Sequence, residues 1–435
     1  MAQTDPRIVT EPPEQRRTLV ILVLAQILSG AALAAGVTVG ALLAQDMLES
    51  TRLSGLPSAL FAAGGALAAV GVGRLSERYG RRVGLTAGYL AGAIGGFGVV
   101  AAAWLDDVVL LFASLFVYGA GVATSLQARY AGADLAAPSR RGRALSIVLV
   151  ATTLGAVVGP NLVTLTGRMA EAIGIPVLAG PFLLAGVAYS AAGLLLWAML
   201  RPDPLQLARA LARAPSLKGY DAQSPADPAA TGPELTSGQR HSAWSPAVVR
   251  GAGILVLSQF VMVAIMTMTP IHIQHHGHDL SATGVVIGAH IAAMFLPSPL
   301  SGWLVDRVGP RAIATASAVT LLVAGLLAAA APSASVIILG LALILLGLGW
   351  NFGLVSGSTV ITDAVPLAFR ARTQGTVDLV VALAAACGGV GSGLLVSATS
   401  FRTLAVLSGV VALAVIPFAA LGRPRAVREA EPSRL

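Results

Sequence analysis

Twelve stretches of roughly 20 apolar residues, each long enough to cross about 30 Å of hydrocarbon, recur through this 435-residue chain. They fall near 18–43, 54–74, 83–104, 108–130, 144–166, 178–200, 249–271, 282–304, 312–331, 335–360, 374–398 and 402–422. A bilayer core offers no water to unpaired backbone groups, so each stretch must close its own hydrogen bonds as a helix. The expected fold class is an all-α polytopic membrane protein with 12 transmembrane helices. Only 11% of residues are charged and 56% are hydrophobic, which excludes a soluble domain of this size.

The formal charge of +8 does not point to nucleic acid, because the basic residues are sorted by loop. With both termini inside, only Arg52, Arg168 and Arg402 fall in outer loops, and the remaining Lys and Arg residues are inner. This positive-inside asymmetry sets the expected location as a bacterial plasma (inner) membrane, with both termini cytoplasmic. The expected partners are membrane lipid and a transported solute, with no nucleic acid, and the chain is expected to act as a monomer. The single cysteine, Cys387, cannot form an intrachain disulfide. The first apolar stretch is too long for a cleavable signal and is expected to remain as the first span.

A cytoplasmic tail over 1–17 precedes the first six spans, which occupy 18–200. Residues 201–246, rich in Pro, Ala and Ser, form an inner linker with a helical tendency around Leu205–Arg213. The second six spans occupy 247–422, and 423–435 form a second cytoplasmic tail. The halves repeat one another. Gly73, Glu77, Arg78, Gly80, Arg81 and Arg82 follow the second span. At an offset of 229 residues, Gly302, Asp306, Arg307, Gly309 and Arg311 follow the eighth. The same offset maps Asp134 onto Asp363, Arg141 onto Arg370 and Arg143 onto Arg372. Two parallel six-helix halves on a cytoplasmic linker are one way a transporter is built.

The repeated G-x-x-x-[DE]-R-x-G loop resembles motif A of the major facilitator superfamily. That resemblance covers the whole chain and implies alternating access, with the motif latching one conformation. Its glycines keep the loop tight, and Glu77 or Asp306 can pair with arginine or cap a helix N-terminus. Asp134, Arg141, Asp363 and Arg370 are the expected inner charge pairs. Gly155, Gly159, Pro160 and Asn161 in the fifth span are similar to the front half of the motif C of drug–proton antiporters.

Between Met262 and Met294 lie five of the six histidines and four of the eight methionines: Met262, Met266, Met268, His272, His275, His276, His278, His290 and Met294. Thioether and imidazole suit soft copper. Met262 and Met266, like His290 and Met294, are spaced i,i+4 and so share a helix face. If the seventh and eighth spans form a hairpin turning near residue 276, Met262 and His290 reach like depth, roughly 10–15 Å below the outer surface. The loop imidazoles would then gather metal and pass it inward. The M-x-x-x-M and H-x-x-x-M pair is similar to the CcoA-type copper importers of the same superfamily, which implies copper, as Cu(I), as a substrate moved inward and no permanent cofactor. That family's cysteines have no counterpart near these helices.

Two other functions remain open. One is a drug or metabolite exporter working by proton antiport, with His290 as its titrating group. The other is a lipid or glycolipid flippase, since no carboxylate falls near a span midpoint and the cavity is expected to be nearly uncharged. An enzyme is not expected, as no nucleophile–base pair or phosphate-binding loop is present. On the copper reading, His290→Ala and Met262→Ala abolish radiolabelled copper accumulation while the protein stays in the membrane; wild-type accumulation in both strains sinks it.

Overall fold

The computed structural model describes residues 11–48, 56–213, 244–275, 280–332 and 335–420. The first half consists of α1 (Glu14–Leu48), α2 (Leu56–Tyr79), α3 (Arg81–Leu105), α4 (Val108–Ala133), α5 (Arg141–Ala172) and α6 (Gly180–Met199). A short α7 (Pro204–Arg213) follows, and its end of the molecule is called here the linker end. The second half comprises α8 (Pro246–His275), α9 (Leu280–Phe295) with α10 (Ser298–Val308), α11 (Pro310–Ala330), α12 (Val336–Ala364), α13 (Arg370–Ala398), and α14 (Phe401–Ala412) with α15 (Val415–Ala420).

Ten helical stretches among the described residues are long and apolar enough to cross a membrane, counting α9–α10 and α14–α15 as one each. α1 and α5, of 35 and 32 residues, complete two sets of six. The termini of the helices follow local chemistry. Asp107 accepts from the Val109 and Leu110 N–H groups to start α4, and the Ser335 and Ser400 hydroxyls start α12 and α14. Pro297, which has no N–H and restricts the residue before it, sits between α9 and α10.

Each half has its own core. In the first, Tyr118 meets the rings of Tyr189 at 5.6 Å and Phe182 at 5.4 Å, while α3 presses small residues onto α4. In the second, Leu321, Leu343, Leu346 and Val355 are fully buried. Burial against lipid gains little, so close approach of small residues carries much of the packing. The repeated loops show why glycine is required after α2 and α10: Gly80 and Gly309 start α3 and α11 at φ 96° and 91°, a region L side chains rarely enter.

The halves touch through α2 on α13 and α5 on α10. A methyl added at Gly73 would stand 2.8 Å from the Ala371 carbonyl oxygen and 3.0 Å from Gly375 Cα. Its repeat partner Gly302 lies as tightly against Gly142 and Ser146. Among the described residues, the side-chain bonds that cross between halves gather at the linker end, so this is a state closed there.

One expectation changes. α8 and α9 do not pack along each other as a hairpin; α12 lies against both. Helices joined by a short loop need not be neighbours when a third helix offers each a better surface.

Gly73→Val should disfavour the closed linker end by about 1–3 kcal/mol, a roughly 5- to 150-fold shift. The measurement is alkylation of a Thr362→Cys reporter, which is buried in this state, in a Cys387→Ser background. An unchanged alkylation rate would show that the α2–α13 contact does not hold the closed state.

Candidate functional site

The repeated motif closes the linker end, each half capping a helix of the other. Asp306, at the end of α10, accepts from the Gly142 N–H at 2.8 Å and the Arg143 N–H at 3.0 Å, both at the start of α5. Its repeat partner Glu77, at the end of α2, accepts from the backbone N–H of Arg372 at the start of α13. Free N–H groups and the helix dipole make these N-termini electropositive, so a carboxylate from the opposite half is held there. The four further inner charges also pair across halves. Arg141 bonds Asp363, and Arg370 approaches Asp134 to 3.8 Å.

Arg81 strengthens the closure on one side. It is fully buried, donates from Nε to Asp134 at 2.7 Å, and reaches Gln374 of the second half through Nη2. Arg78 and Arg307 of the same loops are exposed and lie over the Tyr79 and Trp303 rings, 5.1 and 5.0 Å from the ring centroids. α7 adds a brace. Asp203 accepts from the Arg82 N–H at 2.7 Å, Gln206 donates to the Tyr79 carbonyl at 2.9 Å, and Arg209 donates to the carbonyls of Glu77, Leu367 and Ala368. The carbonyls of Leu367 and Ala368 belong to the second half, so Arg209 spans both.

Directly above this seal, between the halves, lies a cavity of about 260 Å³, near the lower end of the roughly 300–1,000 Å³ typical of small-molecule sites. Its walls are mostly apolar, with Phe61 from α2, Leu126 from α4, Leu255 from α8 and Trp350 and Leu354 from α12. The polar groups are few: Gln259, whose Oε1 accepts from Trp350 Nε1 at 2.7 Å, and an ion pair between Arg129 and Asp378 at 2.9 Å. The cavity is therefore not uncharged, as the sequence reading expected. Asp378 lies two turns into α13, beside Arg129 near the end of α4, and only the packing of the halves brings them together. Arg129, Asp378, Gln259 and Trp350 were not named as site residues from sequence. An arginine and a carboxylate, each inside a span, were the signal for the first two.

The proposed copper ligands lie elsewhere. Met262 is buried in the core of the second half, and Met266, Met268 and Met294 pack half-buried against that core. His290 is fully buried, with Nδ1 2.7 Å from the Leu343 carbonyl. None of these five residues lines the cavity. With α12 against both α8 and α9, the two i,i+4 pairs are not set face to face across a helix interface. His272 stacks on Phe401 at 4.3 Å. His275 ends α8, its side chain outside the described residues, and His276 and His278 lie outside them altogether. Among the described residues no group of three or more His, Cys, Asp or Glu side chains is poised to hold a metal.

Comparison with known proteins adds to this geometry. Residues 19–355 and 251–434 each match the sequence profile of the Major Facilitator Superfamily. A Bacillus subtilis (strain 168) protein named uncharacterized MFS-type transporter YdeG is 51% identical over 424 residues, covering 96% of this chain and 95% of that one. The riboflavin transporter RfnT of Brucella anthropi is 30% identical over 423 residues, covering 96% of this chain and 98% of that one. The structure of the human organic anion transporter MFSD10 (TETRAN) superposes with a TM-score of 0.72 at 17% identity, covering 94% of this chain and 100% of that one. At that identity the likeness is one of fold.

Arg81→Ala should leave the buried Asp134 with only the 3.8 Å approach of Arg370 and cost about 3 kcal/mol, lowering the thermal unfolding midpoint of the protein in detergent. Arg78→Ala, at an exposed position of the same loop, should leave that midpoint in place. Equal midpoints for the two variants would remove Arg81 from the gate.

Proposed function

The chain belongs to the Major Facilitator Superfamily, and from that premise we propose that it carries a small organic molecule with a flat heteroaromatic ring, of the flavin class, by alternating access. Membership makes it a secondary transporter, and the walls of the central cavity point to its cargo. The observation that carries it is the composition of the central cavity. Aromatic and aliphatic walls from Phe61, Trp350 and Leu354 suit a heteroaromatic ring, and Gln259, Arg129 and Asp378 offer a few fixed polar contacts. The 30% identity to a protein named riboflavin transporter, over nearly the full length of both chains, supports the same class. The excess of arginine at the linker end supports a plasma-membrane orientation with that end cytoplasmic.

A copper cargo keeps one observation in its favour. With Nδ1 at the Leu343 carbonyl, His290 has a buried Nε2 with no partner among the described residues. A neutral imidazole so placed presents a lone pair that could bind a soft metal. Against it, among the described residues no thioether or imidazole lines the cavity through which cargo would pass.

Inverted membrane vesicles and intact cells expressing the protein test both readings. Riboflavin flux, followed by its fluorescence, should exceed that of empty-vector controls and fall at least tenfold in Arg129→Ala. Radiolabelled copper flux should equal the control. Flavin flux at control level, with copper flux that requires His290, would replace the flavin reading with the copper one.

A further inference from the structure

The floor of the cavity contains an unmatched donor beside an unmatched acceptor. Arg129 has five N–H donors. Nε donates to Ser358 Oγ at 3.1 Å, Nη1 to the Leu126 carbonyl, and Nη2 to Tyr130 Oη at 2.8 Å and Asp378 Oδ1 at 2.9 Å. One Nη1–H therefore remains among the described residues. On the carboxylate, Oδ1 also accepts from Tyr130 Oη at 3.4 Å, whereas Oδ2 is buried and has no partner there. A charged oxygen removed from water without a hydrogen bond is unfavourable, and its natural complement is a donor brought by a ligand. Both residues line the cavity.

We propose that Asp378 selects the cargo: its Oδ2 accepts from an N–H of the cargo while the remaining Nη1–H of Arg129 donates to an adjacent carbonyl. A neighbouring N–H and C=O, as in an imide or lactam, present that pattern on one edge of a flat ring. This proposal rests on the flavin-class reading and deepens it, since riboflavin carries an imide N–H between two carbonyls. The anchor is also part of the seal. Arg129 belongs to the first half, Ser358 and Asp378 to the second, so cargo engages the same carboxylate that ties the halves together. A donor at Oδ2 completes the carboxylate's hydrogen bonding without displacing Arg129 from Oδ1.

The experiment is equilibrium binding to the purified full chain in detergent, read by quenching of flavin fluorescence, with riboflavin and its N3-methyl derivative as probes. Wild-type protein should bind riboflavin about 10- to 100-fold more tightly than the methyl derivative. Asp378→Ala should abolish the preference, bringing the affinities for the two probes within about twofold of one another, because each change removes the same hydrogen bond. Equal wild-type affinity for both probes overturns the proposal while the flavin reading stands, and needs no variant to fold. Binding of neither probe by wild-type protein overturns the flavin reading and this inference with it.

Discussion

Each half of the molecule holds a carboxylate against the helix N-terminus of the other, and the closed state depends on that reciprocity. Asp306 meets the Gly142 and Arg143 N–H groups at the start of α5, and Glu77 meets the Arg372 N–H at the start of α13. The groups involved are backbone donors that every helix leaves unpaired, so the contact needs only an acid of the right length and a loop that turns sharply. Gly80 and Gly309 supply the turn, and Gly73 and Gly302 let the helices approach. Such bonds form when the ends meet and dissolve into hydration when they part. That makes them suited to a two-state gate rather than to a permanent core.

The gate is symmetric, whereas the cavity above it is not. Positions 229 residues apart act alike where the halves close: Glu77 with Asp306, Arg141 with Arg370, and Asp134 with Asp363. They differ where a solute would sit. Arg129 corresponds to Ser358, and the two touch each other; Asp378 corresponds to Leu149. Duplication explains a structure that can rock about its midline. Departures from duplication place Arg129 on one wall of the cavity and Asp378 on the other.

Much of the architecture was legible in the sequence because lipid imposes a severe rule. A 20-residue apolar stretch has few options besides a helix, and the offset of 229 residues exposed the repeat through matched positions such as Gly73 and Gly302, Glu77 and Asp306, and Asp134 and Asp363. The candidate site was less legible. Met262, Met266, His290 and Met294 form an arresting pattern along the chain, but α12 lies between the helices that carry them, and spacing along a helix does not say which neighbour its face will meet. Arg129 and Asp378 had the opposite character. Each resembles an ordinary charge near a helix end until α4 and α13 are packed together.

The sequence by itself determined that this chain is a twelve-helix membrane protein in two related halves, with its arginines sorted to one face. Those properties follow from local hydropathy and from the matched positions of two loops. Only the tertiary structure decided which carboxylate meets which helix end, and that an ion pair rather than a methionine–histidine cluster lies in the central cavity. Residues 249 apart along the chain, Arg129 and Asp378, are joined by the approach of two halves, and no local pattern encodes a distance of that kind.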